Sequence, residues 1–207
     1  IDSEHISFTS MIDINSFIAK KSVISLQDNI DFSVDVPFDT VSKNSVSDRT
    51  LAYASIYRLN GVYENASRRV SIGLLRVPFG VGRIFTPVDI YNPYQALALE
   101  PSQRQGVFGL YYTYAVGELS TIDMIVTSNK KKESKMGIRL KSTLKETDVA
   151  LVAVDDKQLS MYGYEIEGDF NGMGWRSEAG LFKEKNQDIT YQNSMFGVDY
   201  GFASGFM

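Results

Sequence analysis

The sequence predicts an all-β chain, on three observations. Apolar and polar residues alternate along much of the length, Tyr and Phe number 12 each, and 16 glycines against 5 prolines supply turn signals. Aromatic and β-branched residues suit a pleated, half-buried surface, and a period of two sorts them onto one face. No stretch of helical period exceeds about three turns.

The predicted strands run over 6–17, 22–38, 50–64, 68–79, 106–116, 119–128, 136–145, 148–155, 159–170, 174–184 and 190–203. In the second, Ile30, Phe32, Val34, Val36 and Phe38 share one face against Asp31, Ser33, Asp35 and Asp39. In the third, Leu51, Tyr53, Tyr57 and Leu59 alternate, while Asn60-Gly61 is a hairpin signal that would break or bulge the strand. The fifth carries Phe108, Leu110, Tyr112, Tyr114 and Val116 on one face, and in the seventh Ile138 and Leu140 oppose Arg139 and Lys141. The ninth sets Tyr162, Tyr164, Ile166 and Phe170 against Glu165, Glu167 and Asp169. The last sets Phe196, Val198, Tyr200 and Phe202 against Asn193, Asp199 and Gly201. Many of these strands reach the ~9–11 residues that a tilted membrane-spanning strand requires, longer than the ~5–6 usual in soluble sheets.

Short and longer connections alternate almost throughout, at about 19–21, 39–49, 65–67, 80–105, 117–118, 128–135, 146–147, 156–158, 171–173 and 185–189. Greek-key sandwiches scatter their loop lengths, whereas up-and-down outer-membrane barrels place tight turns at one end and longer loops at the other. The polar face carries Gly, Ser, Asn and Asp beside charges, with Tyr dense near strand ends, as a wet lumen and interfacial aromatics require. The rival is a soluble sandwich or lipocalin-like barrel with its apolar face inward. The pattern therefore points to an antiparallel, up-and-down transmembrane β-barrel. Its first connection is short and its strand count odd. Met207 also ends the chain without a closing aromatic strand. The expectation is a partial barrel of about 10–12 strands from a larger one, a single domain over 1–207 that is incomplete at both ends.

Composition narrows the chemistry. The longest strongly apolar run, Val149 to Val154, is far short of the ~20 residues of a spanning helix. A net charge of −4, a pI near 5.1 and a single lysine cluster, Lys130 to Lys132, argue against nucleic acid. There is no cysteine, and His5 is the lone imidazole, so thiol nucleophiles and a His-based triad are poor fits. Glu165 and Glu167 would stand about 7 Å apart on one face, a spacing better read as a charged wall facing Arg176 than as a glycosidase pair. Asp28, Asn29 and Asp31 lack the Gly and closing Glu of a Ca²⁺ loop, and Gly80-Val81-Gly82 lacks the strand–helix setting of a phosphate loop. No enzyme, metal or cofactor is expected. Lys130, Lys131, Lys132 and Lys135 read as a solvated loop, with lipopolysaccharide contact the sharper alternative.

The segment Arg76-Val77-Pro78-Phe79-Gly80-Val81-Gly82-Arg83-Ile84-Phe85-Thr86-Pro87-Val88-Asp89-Ile90-Tyr91-Asn92-Pro93 resembles a block in porin-like outer-membrane proteins of Gram-negative bacteria. In those, Gly-Arg-Gln and an aromatic-Gly step lead into Gly-Arg, Pro-Thr-Asp, an aromatic and Asn-Pro. This chain has Leu74-Leu75-Arg76 and Pro87-Val88-Asp89 at two of those places. The resemblance implies an outer-membrane location, lipid and lipopolysaccharide surroundings, and passive diffusion of small solutes. It leaves open an oligomer, and a non-conducting structural or polysaccharide-binding barrel. The 80–105 connection is expected to fold inward, or else to form an external cap. Asp89 and Asn92, bracketed by Pro87 and Pro93, are placed to accept backbone N–H bonds in Asx turns or to cap a short helix. Arg83, Asp89, Asn92, Glu165, Glu167, Asp169, Arg176 and Arg139 are the expected pore-lining residues. Arg76 shares a face with Val70, Ile72 and Leu74, so a bulge near Leu75 is expected to turn it inward.

Overall fold

The computed structural model describes residues 4–18, 35–47, 49–92 and 106–201. Its strands are β1 (His5–Ile18), β2 (Val41–Ser47), β3 (Thr50–Glu64), β4 (Arg68–Leu75), β5 (Val107–Ala115) and β6 (Ser120–Ser128). These are followed by β7 (Ser134–Leu144), β8 (Thr147–Asp156), β9 (Leu159–Phe170), β10 (Met173–Glu184) and β11 (Ile189–Tyr200). All eleven form one antiparallel sheet in the order β1-β3-β4-β5-β6-β7-β8-β9-β10-β11, with β2 paired to β3. The up-and-down connectivity matches the expected pattern. Among the described residues β1 and β11 do not pair, so the sheet is open rather than a closed barrel.

Two predicted elements differ. Of the strand expected over 22–38, residues 22–34, with the Ca²⁺ candidates Asp28, Asn29 and Asp31, lie outside the described residues. Residues 35–38 form a bend in which Val36 is buried and Phe38 meets Phe108 edge-on at 5.4 Å. A strand forms at Val41–Ser47, inside the connection expected over 39–49. Its sequence has almost no apolar alternation; it is recruited by an open stretch of β3 edge. β1 covers one edge of β3 from Thr50 to Glu64, and β2 and β4 divide the other, at 50–55 and 59–64. The register shift of β3 lies opposite Met11/Ile12, at residues 56–58. Asn60 and Gly61 stay in the ladder. The true hairpin signal is Asn171-Gly172, whose φ values of 53° and 78° are those of a type I′ turn.

The fourth strand, expected to reach 79, stops at Leu75. Gly73, at φ 126°, makes the close approach just before this exit: a Cβ there would lie 2.2 Å from the Leu59 carbonyl oxygen. Pro78 then lacks the N–H a ladder needs.

The sheet has two unlike faces. One carries Ile72, Leu110, Met124, Val126, Ile138, Leu140, Leu151, Tyr162, Tyr164, Phe196, Val198 and Tyr200, all open to the surroundings. The other carries Tyr111, Ile125, Val152, Val154, Met161 and Phe182, which are buried beneath the segment that follows β4. Glu165, Glu167, Arg176, Arg139 and Lys141 share this second face by register, as expected, and Tyr164, Ile166, Val198 and Tyr200 share the first.

Candidate functional site

The site is this second, covered face together with residues 76–92. One register row crosses it from β5 to β11: Tyr111, Ile125, Gly137, Val154, Met161, Phe182, Tyr191. Leu75, Val77, Phe79, Val88 and Tyr91 pack onto that row, with Phe79 and Tyr91 edge-on at 5.6 Å. Burying such side chains contributes about 1.5–3 kcal/mol each, which holds a segment with no ladder of its own. Two glycines open sockets for it. A Cβ on Gly137 would stand 2.5 Å from the Tyr91 hydroxyl, and one on Gly163 would stand 3.0 Å from Val88 Cγ2. The described part of the 80–105 connection thus lies against the sheet; residues 93–105 are outside the described set.

The segment also folds on itself. Val77 N–H donates to Asn92 Oδ1 at 2.7 Å, and Asn92 N–H donates to Asp89 Oδ1 at 2.9 Å. Asp89 is 4% exposed and Asn92 1%. Both accept backbone N–H bonds inside the segment, Asp89 in a local turn as expected and Asn92 across fifteen residues rather than in an Asx turn, with little surface left to meet a solute. Tyr91 is buried with its hydroxyl lacking a hydrogen-bond partner among the described residues, and burial pushes the phenol above its ordinary pKa.

Carboxylates from the sheet grip the segment's backbone. Glu178, fully buried, accepts from the N–H groups of Val81 (2.8 Å), Gly82 (3.1 Å) and Val88 (2.6 Å). Gly80, at φ 85°, lets the chain turn against this carboxylate, where a Cβ would come within 3.3 Å of both oxygens. Glu165 accepts from Gly80 N–H at 2.9 Å and from Arg139 Nη2 at 2.6 Å; Arg139 also reaches Asp123 at 3.4 Å. Charge-assisted bonds of this kind repay the desolvation that an isolated buried carboxylate could not.

The remaining expected residues lie toward the short-turn end. Arg176 bonds Asp199 at 2.5 Å and lies 3.7 Å from Glu167, its register neighbour. Exposed Arg83 reaches the same Asp199 at 3.2 Å, and Asp169 accepts from Gly172 N–H at the β9–β10 turn. Arg76, past the ladder's end, lines the inner cavity with Arg139. It turns inward because the strand stops, not through a bulge at Leu75. In the lysine loop, Lys130 N–H donates to Asp35, and Lys135 pairs with Asp156 at 3.5 Å.

Sequence reasoning missed Glu178, Asp123 and Asp199. Each was visible as a charged residue on the polar side of its alternation; nothing local distinguishes a buried, backbone-gripping Glu178 from a solvated one.

Charge is segregated across this face. From β8 to β11 it carries Asp148, Glu165, Glu167, Asp169, Glu178 and Asp199 against Arg176. At the other side, a cavity of about 720 Å³ is lined by Arg58, Arg68, Arg69, Arg76 and Arg139 against Glu64 and Asp123.

No protein-family model matches the chain, and no curated protein matches it. Fold and site therefore define it as an all-β protein whose large up-and-down sheet is covered on one face by its own inter-strand segment.

Proposed function

We propose that the chain is wall and constriction segment of a porin-like outer-membrane barrel that passes small solutes by diffusion. The observation that carries this reading is the course of the exposed apolar stripe. On β6 it comprises Ile122, Met124 and Val126, between Ser120 and Ser128; on β8, Val149, Leu151 and Ala153, between Thr147 and Asp155. On β11 it comprises Phe196, Val198 and Tyr200, beyond Ser194. Following hydrogen-bonded partners from Met124 leads to Ala153 on β8 and Gln192 on β11. The stripe's centre has moved on, to Leu151 and to Val198, two residues after two strand steps and six after five.

A drift of about one residue per strand, with ~3.4 Å rise and ~4.8 Å between strands, makes the stripe level only if the strands tilt by about 35–40°. That lies within the ~35–45° tilt of membrane barrels. A soluble sheet with one face covered has no reason to keep a level apolar belt on the other. The segregated charges of the covered face supply a transverse field of the kind that biases which solutes pass a narrow lumen. In this reading, further strands complete the barrel, the outer apolar face meets lipid, and residues 76–92 narrow the lumen from within. The test is planar-bilayer conductance of the full-length gene product, with and without residues 81–90. Discrete channels that widen on deletion support the reading. A folded, membrane-inserted protein that conducts in neither form overturns it in favour of a non-conducting structural or polysaccharide-binding barrel.

A further inference from the structure

We infer that Ile84 and Phe85, at the tip of the covering segment, form with Met195 an apolar platform for the aryl or branched alkyl body of a small solute whose polar end is zwitterionic or uncharged. The inference rests on the channel reading, which brings solutes along this face, and it names the class that the segment favours. Val77, Phe79, Val88 and Tyr91 are buried against the sheet, but Ile84 is 82% exposed and its neighbour Phe85 54%. Turn tips ordinarily carry Gly, Asn, Asp or Ser. A single exposed apolar residue needs no explanation, whereas bulky ones side by side form a patch that calls for an apolar contact.

The backbone holds the pair out. Glu178 accepts from Val81 and Gly82 on one side of the tip and from Val88 on the other, so one buried carboxylate pins both stems. Between them the chain turns tightly. A Cβ on Gly82 would lie 2.0 Å from the Phe85 carbonyl oxygen and 2.8 Å from Met195 Cε, so only glycine fits. The same approach places half-buried Met195, on an inward position of β11, beside the tip. Its flexible thioether adapts to varied apolar shapes, and a platform fixed before its ligand arrives loses little to ordering. The charges nearby select the polar end. Glu167, Arg176, Asp199 and Arg83 form a chain of ion pairs in alternating sign. Within it the carboxylates and guanidiniums cancel, which leaves no net attraction for an ion of either sign. Their alternation complements a head group that carries both signs, or dipoles alone.

The chain contains no cysteine, so Ile84→Cys introduces one thiol at the tip. The full-length variant, in lipid nanodiscs, is treated with a membrane-impermeant maleimide, against the unsubstituted protein as background. Labelling is expected, together with its saturable slowing by phenylalanine and not by glycine, which shares the zwitterionic head. Adding Phe85→Ser is expected to raise the protecting concentration of phenylalanine about tenfold, the loss of one aromatic contact, and Phe85→Leu to raise it less. Phe85 is more than half exposed, and an unchanged unfolding midpoint confirms that each variant is folded. A thiol that does not label is covered by protein and overturns the platform. Labelling that phenylalanine leaves unchanged, or protection that ignores Phe85→Ser, overturns it too. The two readings fail separately. Protection without bilayer conductance retains the platform and removes the channel, whereas conductance without protection retains the channel and removes the platform. A protein that does not enter the discs removes both.

Discussion

Glu165 and Glu178 are register partners on adjacent strands, carboxylates on the same face, and each grips a different part of one segment. Like charges directly opposite each other destabilise a sheet. Here the conflict is resolved by unlike partners: Arg139 for Glu165, and three backbone N–H groups for Glu178. The backbone N–H groups of residues 80–88 thus offset the repulsion within the pair, and the two carboxylates add to the hold that apolar packing gives the segment.

Glu178→Ala should therefore detach the segment. It leaves three N–H groups without acceptors in a buried setting, and a loss of about 3–5 kcal/mol is expected for breaking such a buried charged contact. Glu178→Gln, which keeps one oxygen, should cost less. Denaturant midpoints in detergent rank the three proteins; an unchanged midpoint for the alanine variant would mean that the grip contributes nothing.

The Gly137 socket predicts a specific coupling. Gly137→Ala drives a Cβ against the Tyr91 hydroxyl and should cost about 1–3 kcal/mol. Tyr91→Phe removes a buried hydroxyl that lacks a partner among the described residues, so it should be neutral or stabilising. In the double variant the clash is relieved and most of the glycine penalty should vanish. A double-mutant cycle on unfolding free energies measures this, and strict additivity would place the hydroxyl elsewhere.

Asn92 ties the two ends of the segment together. Asn92→Ala strands the buried Val77 N–H and should cost about 1–3 kcal/mol. Asn92→Asp keeps an acceptor oxygen and should retain more of the stability. Thermal unfolding of the two variants side by side decides between a hydrogen-bonding role and simple packing.

The outer face offers the sharpest test of the membrane reading. Leu151, 59% exposed, sits at the centre of the β8 stripe. Leu151→Arg should cost about 2–4 kcal/mol if the stripe meets lipid near the bilayer midplane. On a water-facing sheet the same change should fall within about 0.5 kcal/mol. Thr190→Arg, outside the stripe, serves as the control. Folding titrations into lipid vesicles provide the comparison.

The period-of-two alternation made the strands legible from the sequence, because a face that must stay apolar along its whole length leaves its mark at every second residue. β3, β5–β6 and β8–β11 fall within a few residues of their expected bounds, and the charged residues of β7, β9 and β10 lie on the expected side. β2 was not legible: Val41–Ser47 has no such face, and it pairs only because β3 is longer than β4 and leaves edge uncovered. The candidate site divides likewise. Asp89 was recognisable as a turn acceptor from its Pro-flanked spacing, whereas Asn92 accepts from Val77 fifteen residues back, which that spacing does not announce. Glu178 was not recognisable as a backbone anchor, since its three donors come from residues some ninety positions away.

By itself, then, the sequence determined the all-β class, the up-and-down order and the two-faced character of the sheet, since all of these follow from local periodicity and short connections. Tertiary structure alone decided where β4 stops, that residues 76–92 lie along the row from Tyr111 to Phe182, and which charges are buried against that segment and which gather around the arginine cavity. Those outcomes depend on groups distant in the chain arriving at one place, where glycines without Cβ atoms leave room and buried carboxylates must find donors. Such requirements have no period, and so no local sequence signature.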